Sequence, residues 1–259
     1  MIASDLFAGA LTRDPAGPLL TYYDDATGER TELSATTLDN WVAKTANLLT
    51  DGLGLDGGSS IAVVLPPHWQ TAGILLGAWA AGHRVVDYPD VDAPDEPDAV
   101  FCTEADLVAY ADRRCDVVGL TLDPWGRGLS DQWRRITDYA QEIGLYGDQF
   151  RAAAPVDPAT PALLAGSLEL SHEGLAGAAV ALADRLGMNT GDRIMVSRDL
   201  AAEAGPVPWL LAPLAAGCSI VLVTDPNSER LAARAESERV TATLGIELSG
   251  VPILGDSRF

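Results

Sequence analysis

Lysine is almost missing from this 259-residue sequence: Lys44 stands alone, and arginine carries the rest of the positive charge. Seventeen basic residues face 37 acidic ones, a formal net charge of −20. A field of that sign repels phosphate backbones and anionic lipid headgroups, so no nucleic-acid and no membrane partner is expected. Cysteine is scarce as well. Cys102, Cys115 and Cys218 are odd in number and widely spread, which fits a reducing compartment and not a disulfide framework. No C-x-x-C or Cys/His cluster occurs, and His68 and His83 show no ligand spacing with each other or with Cys102, so no metal is expected. Long apolar runs are absent too: residues 72–81 are interrupted by Gly82-His83-Arg84 before the ~20 residues a bilayer span requires. The N-terminus carries no basic stretch of the kind that opens a secretory leader. The expectation is a cytoplasmic protein.

What is present is enough apolar residue, 47% of the chain, to bury a full core as one large domain or two fused lobes. After Ser34, the residues Leu38, Trp41, Val42, Thr45, Ala46 and Leu49 recur at helical spacing and predict an amphipathic helix. Gly52 and Gly54 stop it, Gly57-Gly58 turn the chain, and residues 61–65 read as a strand buried on both faces and ended by Pro66-Pro67. A helix over residues 69–81, a stop at Gly82 and a strand over residues 84–88 follow. The same order recurs roughly 135 residues later. Ser171 caps a helix with the stripe Leu175, Ala178, Ala179, Leu182, Ala183 and Leu186. A turn at residues 189–192, a strand at 194–196, a proline-bounded helix through Trp209 and Leu214, the stop at Gly217 and a strand at 219–223 complete it. Residues 99–103 and 117–122 read as further strands, with a helix around 133–143.

Helices alternating with short apolar strands predict an α/β fold: two similar lobes of mostly parallel β-α-β units, with helices on both faces. The Ala- and Pro-rich residues 152–161 place the join, giving a first lobe over 1–155 and a second over 156–259, fused into one unit. Such sheets hold ligands beyond the carboxyl ends of their strands.

Residues 31–90 resemble the opening of the adenylate-forming superfamily of acyl-CoA synthetases, peptide-synthetase adenylation domains and luciferases. The segment Ala81-Gly82-His83-Arg84-Val85-Val86-Asp87 is similar to the family's A-G-x-x-x-V-P. Leu170-Ser171-His172-Glu173-Gly174-Leu175 is similar to its L-S-H-x-N-L, Ala212-Pro213-Leu214-Ala215-Ala216-Gly217 to its L-x-P-L-x-x-G, and Glu238-Arg239-Val240-Thr241 to its E-x-x-R-V-T. The resemblance implies the fold of the N-terminal domain of acyl-CoA synthetases.

The departures bear on chemistry. In the family a Gly/Ser/Thr-rich loop ending in Pro-Lys-Gly precedes the L-S-H helix and cradles the ATP phosphates with its amides and hydroxyls. Only Leu163-Leu164-Ala165-Gly166-Ser167-Leu168-Glu169 stands here, with an acid where positive charge is needed. The family's F-H-x-x-G histidine falls near Ala202. The sequence stops at Phe259, before the family's adenine, ribose and catalytic-lysine motifs, so the C-terminal catalytic domain is expected to be absent. Lys44 lies on the first amphipathic helix, far from the loop. ATP and AMP are therefore disfavoured as cofactors, and no catalytic residue is assigned. The residues that remain as candidate anion contacts at the helix start are Ser167, Ser171 and His172.

Other motifs read as structure. Gly52-Leu53-Gly54-Leu55-Asp56-Gly57 matches G-x-G-x-x-G, but between a helix and a strand, the reverse of the dinucleotide order. Asp87, Asp90, Asp92, Asp95, Glu96 and Asp98 lack the spacing of a calcium loop and read as a solvated connection. Trp125, Trp133 and Trp209 are assigned to the core or a lobe interface. The functional expectation is a catalytically degenerate AMP-binding-like protein that binds a small nucleotide or acyl ligand, or a protein partner. Two alternatives stand beside it: an adenylating or hydrolytic enzyme completed by a separate partner chain, and a purely structural or regulatory interaction protein.

Overall fold

Glycines end the helices and turn the chain into the strands, as the spacing predicts, in the computed structural model, which describes residues 1–86 and 96–255. The strands in chain order are β1 (Pro18–Asp24), β2 (Glu29–Ser34), β3 (Ser60–Val64), β4 (Arg84–Val86), β5 (Ala99–Thr103), β6 (Asp116–Leu120), β7 (Thr137–Asp138), β8 (Pro161–Ala165), β9 (Leu168–Ser171), β10 (Arg193–Ser197), β11 (Ser219–Thr224) and β12 (Ala242–Leu244). The α-helices are α1 (Ala8–Arg13), α2 (Ala35–Asn47), α3 (Trp69–Ala80), α4 (Leu107–Tyr110), α5 (Tyr139–Glu142), α6 (His172–Leu186), α7 (Arg198–Ala204), α8 (Ala212–Ala216) and α9 (Ser228–Ser237). The fold is α/β with mostly parallel strands, as expected.

Two sheets form. One has the order β7-β6-β5-β3-β4-β8-β9, the other β12-β10-β11-β1-β2. Every neighbouring pair is parallel except β8 with β9 and β1 with β2, which are hairpins at the sheet edges. The repeat seen in the sequence is therefore longer than helix–strand–helix–strand: each copy begins with its hairpin and reads β-β-α-β-α-β. The registers coincide. Pro18 faces Ser34 and Leu20 faces Leu33 across a bulge; Pro161 faces Ser171 and Leu163 faces Leu170 across the same bulge.

The hairpins are exchanged between the copies. The hairpin opening the first copy, β1–β2, pairs with β11 of the second, and the hairpin opening the second, β8–β9, pairs with β4 of the first. This is why the units do not follow the expected cut near residue 155. One unit comprises the described residues of Met1–Ser4, Asp39–Leu65 and Gln70–Gly174; the other takes Asp5–Leu38, Pro66–Trp69 and the described residues from Leu175 onward. The seven-stranded unit packs around Ala62, Val100, Cys102 and Leu107, and the five-stranded unit around Met195, Val221, Val223 and Leu231.

Three expectations change. The helix around residues 133–143 is broken into a 3-10 turn at Asp131–Trp133, the short β7, α5 and a second 3-10 turn at Ile143–Leu145, because Asp138 ends β7 and caps α5 by accepting from Ala140 and Gln141 amides. The strand expected over residues 61–65 is only half-buried at its carboxyl end. Trp209 is core at 2% exposure, whereas Trp125 is 92% exposed on a turn held by Asp123. Of the acidic connection, Asp87, Asp90, Asp92 and Asp95 lie outside the described residues. Glu96 and Asp98 inside them are structural acceptors, for the Arg114 amide at 3.0 Å and the Ser60 amide at 2.7 Å.

Candidate functional site

The segment that the sequence resemblance sets against the family's phosphate loop is a minimal hairpin turn. Ala165 pairs with Leu168, so only Gly166 and Ser167 connect β8 to β9, and Gly166 takes φ +57°, which a side chain disfavours. Ser167 is exposed in that turn. Ser171 is at the opposite end of β9, beside Pro161, so ~13 Å of extended chain separates it from Ser167. The three candidate residues are thus not brought together, because an antiparallel hairpin sends its turn and its open end to opposite edges of the sheet.

Ser171 and His172 are both committed to structure. The Ser171 hydroxyl accepts the Gly174 amide at 3.1 Å, the N-cap of α6. His172, the first residue of α6, is 0% exposed, which closes it to a solvent-borne ligand. Glu169, on the strand between them, lies 3.5 Å from Arg84, so the acid beside the turn is balanced by an arginine of β4. Lys44 is likewise used: its ammonium donates to the Tyr146 carbonyl at 2.6 Å and pairs with Asp148 at 2.9 Å.

One buried polar feature of the seven-stranded unit was not legible in the sequence. His83 and His172 are both 0% exposed, and all four ring nitrogens are without a hydrogen-bond partner. Burial pushes the His83 imidazole down to about 4 against the opposing Asp98 carboxylate, and burial also lowers His172 against the Gly82 backbone. Both rings are therefore neutral near pH 7.

The five-stranded unit treats its buried polar groups differently. Glu238 accepts from Arg193, from the Tyr23 hydroxyl at 2.6 Å and from Arg30 at 3.0 Å. Burial would raise this carboxyl, but those three donors bring it down to about 2. Arg234 pairs with Asp25 at 2.6 Å and lies 4.1 Å over the Tyr23 ring. His68 stands 3.8 Å from Glu29, whose other oxygen accepts from Trp69 at 3.0 Å and whose side chain also accepts from Thr31 at 2.7 Å. Among the described residues, no three His, Cys, Asp or Glu side chains gather as a metal site, and no helix is long and apolar enough to cross a membrane.

No family model matches the sequence. A TIGR03089 family protein of Mycobacterium tuberculosis is 40% identical over 242 residues, covering 90% of this chain and 94% of that protein. Among solved structures, an acyl-CoA synthetase of Brucella canis superposes with a TM-score of 0.76 over 94% of this chain and 47% of its own length, at 17% identity. The acetoacetyl-CoA synthetase of Streptomyces lividans gives a TM-score of 0.74 over 94% of this chain and 42% of its own, at 19% identity. The chain thus spans about half the length of these structures. At such identities the likeness is one of fold, and the fold expected from the sequence motifs is the one found.

Proposed function

The chain belongs to the TIGR03089 family, and from that premise we propose that it is a catalytically degenerate counterpart of the adenylate-forming enzymes, a module that binds a small nucleotide or acyl ligand without transferring an adenylyl group. The observation that carries this reading is the turn Gly166-Ser167. A phosphate cradle needs several successive amides facing one anion, with positive charge to neutralise it. A two-residue turn inside a paired hairpin cannot present them, and the nearest ionised side chain on β9 is Glu169. The residues present therefore do not fit a triphosphate. The repeat supplies a control: residues 25–28 join β1 to β2 in the first copy, a longer connection than the one in the position where phosphate would have to bind.

An enzyme completed by a partner chain gains nothing from Ser171 and His172, one spent as a helix cap and the other enclosed. The deciding experiment is ATP–pyrophosphate exchange over a panel of carboxylic acids, where no label exchange above the protein-free control is expected and clear turnover refutes the proposal. Thermal melting in AMP, CoA and acyl-CoA then separates ligand binding from a purely protein-interaction role. A ligand of the folded chain at a hundred times its Kd adds about 2.7 kcal/mol of stability; a flat response to all three moves the function to protein interaction.

A further inference from the structure

Trp125 is 92% exposed, a large apolar surface left in water by a unit that buries Trp79 completely. The turn that carries it is tightly framed. Its amide donates to the Asp123 carboxylate at 3.0 Å, and the Thr121 hydroxyl donates to the Arg127 carbonyl at 2.6 Å. Leu122, at the base of the turn, is held at φ +54°, a left-handed backbone that a side chain disfavours. Trp125 is thus presented in one place, and a partner has little left to order on meeting it.

The surroundings of Trp125 have a sign. After the turn the chain is pinned to its unit: Leu129, Trp133 and Ile136 pack against the core around Val100 and Leu107, and Asp138 accepts the Leu129 amide at 2.7 Å. Between and beside these anchors Arg127, Arg134 and Arg135 are exposed. Arg127 lies 3.4 Å from Asp123, whereas Arg134 and Arg135 form no ion pair with any described residue. Residues 121–136 therefore hold three arginines against Asp123 and Asp131, in a chain whose acids outnumber its bases more than two to one. A second apolar residue adjoins. Leu107 of α4 and Leu129 both close over Gly119 of β6, which sets α4 against the pinned segment, and Val108, next to Leu107, is 83% exposed.

We propose that this face docks an acidic segment of another protein, with Trp125 covering an apolar side chain of that segment and Arg127, Arg134 and Arg135 taking its carboxylates. Tryptophan and arginine are residue types that concentrate binding energy in interfaces, and a guanidinium pairs with a carboxylate through two parallel hydrogen bonds. Elsewhere the net charge of −20 repels an anionic segment, so charge complementarity confines it to this face. A single nucleic-acid strand also stacks on tryptophan, but a polyanion runs on past the arginines over a repelling surface, and a short acidic segment does not. The surface stands apart from the proposed loss of adenylation, and either reading can fail without the other.

Short random peptides displayed on phage and selected on the natural full chain test this. The enriched peptides are expected to combine Asp or Glu with a large apolar residue. The leading peptide, synthesised with a fluorescent label and titrated by anisotropy, is expected to bind Trp125→Ala about thirtyfold more weakly, the loss of a central anchor. Replacing Arg134 and Arg135 together by Gln is expected to weaken it about fivefold, the worth of exposed charge pairs. All three side chains are exposed, so these variants keep the fold. Leu145→Ala, which removes another exposed apolar side chain, and Arg230→Gln, which removes an exposed arginine of α9 in the other unit, are expected to change nothing. The proposal is overturned if no peptide is enriched, if the enriched peptides lack acidic residues, or if Trp125→Ala binds as well as the natural chain. It is overturned equally if either control weakens binding as much as Trp125→Ala, or if a labelled oligothymidine binds more tightly than the peptide and loses that binding in Trp125→Ala.

Discussion

Ser34 and Ser171 act alike at the start of α2 and α6: each hydroxyl accepts the amide three residues ahead at 3.1 Å. At the other end of the copies, Gly58 donates to the Gly82 carbonyl at 2.9 Å and Gly191 to the Gly217 carbonyl at 3.1 Å. Both acceptor glycines are left-handed, at φ +78° and +76°. The two copies share what the backbone requires, the caps, bulge, turns and register, and differ where side chains are free to change. Ala35 of the first copy becomes His172 in the second, and His83 becomes Cys218. One unit buries two neutral imidazoles, His83 and His172; the other buries one, His68 beside Glu29, and adds the ion pairs Arg193–Glu238 and Arg234–Asp25. Backbone duplication thus leaves the buried polar groups of the two units free to differ.

Removing a partner from one of these ion pairs is the largest break in this comparison. Glu238→Leu strands Arg193, which is 9% exposed, and is expected to cost about 3–5 kcal/mol in urea unfolding. Adding Arg193→Met should recover much of that loss, because a buried pair exchanged whole for apolar side chains is near neutral.

Acid sharpens the comparison next. The folded His83 titrates near 4 instead of 6.5, so the unfolded chain takes up its proton first. The stability tied to neutral His83 is complete above pH 6.5 and is lost as pH falls toward 4, about 3 kcal/mol in all. Glu238 is depressed from 4.5 to about 2, so its contribution holds above pH 4.5 and is lost only between 4.5 and 2. His68 adds to the first window in the five-stranded unit, where Glu29 opposes the lowering by burial. Stability measured from pH 6.5 to 4 is expected to fall for the natural chain and to be flatter for His83→Leu, whereas the pH dependence of Glu238→Leu departs from that of the natural chain only below about 4.5.

The smallest effect concerns the shared glycines. Alanine at either left-handed position costs about 1–2 kcal/mol from the backbone alone. Gly82→Ala should exceed Gly217→Ala. A new methyl at 82 meets the branched Val156 at 3.2 Å, while at 217 it meets the flexible tip of Arg13, which swings away. Paired thermal melts of the two variants measure the difference.

The repeated helix–strand–helix–strand core was legible because glycine and proline punctuate runs whose spacing is unambiguous. The hairpin β1–β2 was not, since Thr, Glu and Arg break its alternation, and its place in the second sheet depends on a partner strand two hundred positions away. The same distance hid the polar network: Tyr23 and Arg30 face each other across one hairpin, but Arg193 and Glu238 come from segments far along the chain that no local spacing connects to it. At the candidate site the shortened loop was legible directly from Gly166-Ser167. The grouping of Ser167 with Ser171 and His172 failed because three neighbours in sequence occupy two ends of one strand.

The exchange of hairpins sets an order on biosynthesis. Strand β1 ends at Asp24, yet its parallel neighbour β11 is not complete until Thr224. At ~5–20 residues per second, the nascent hairpin waits on the order of ten to forty seconds with an open edge, an interval in which a ribosome-associated chaperone has its clearest opportunity to protect it.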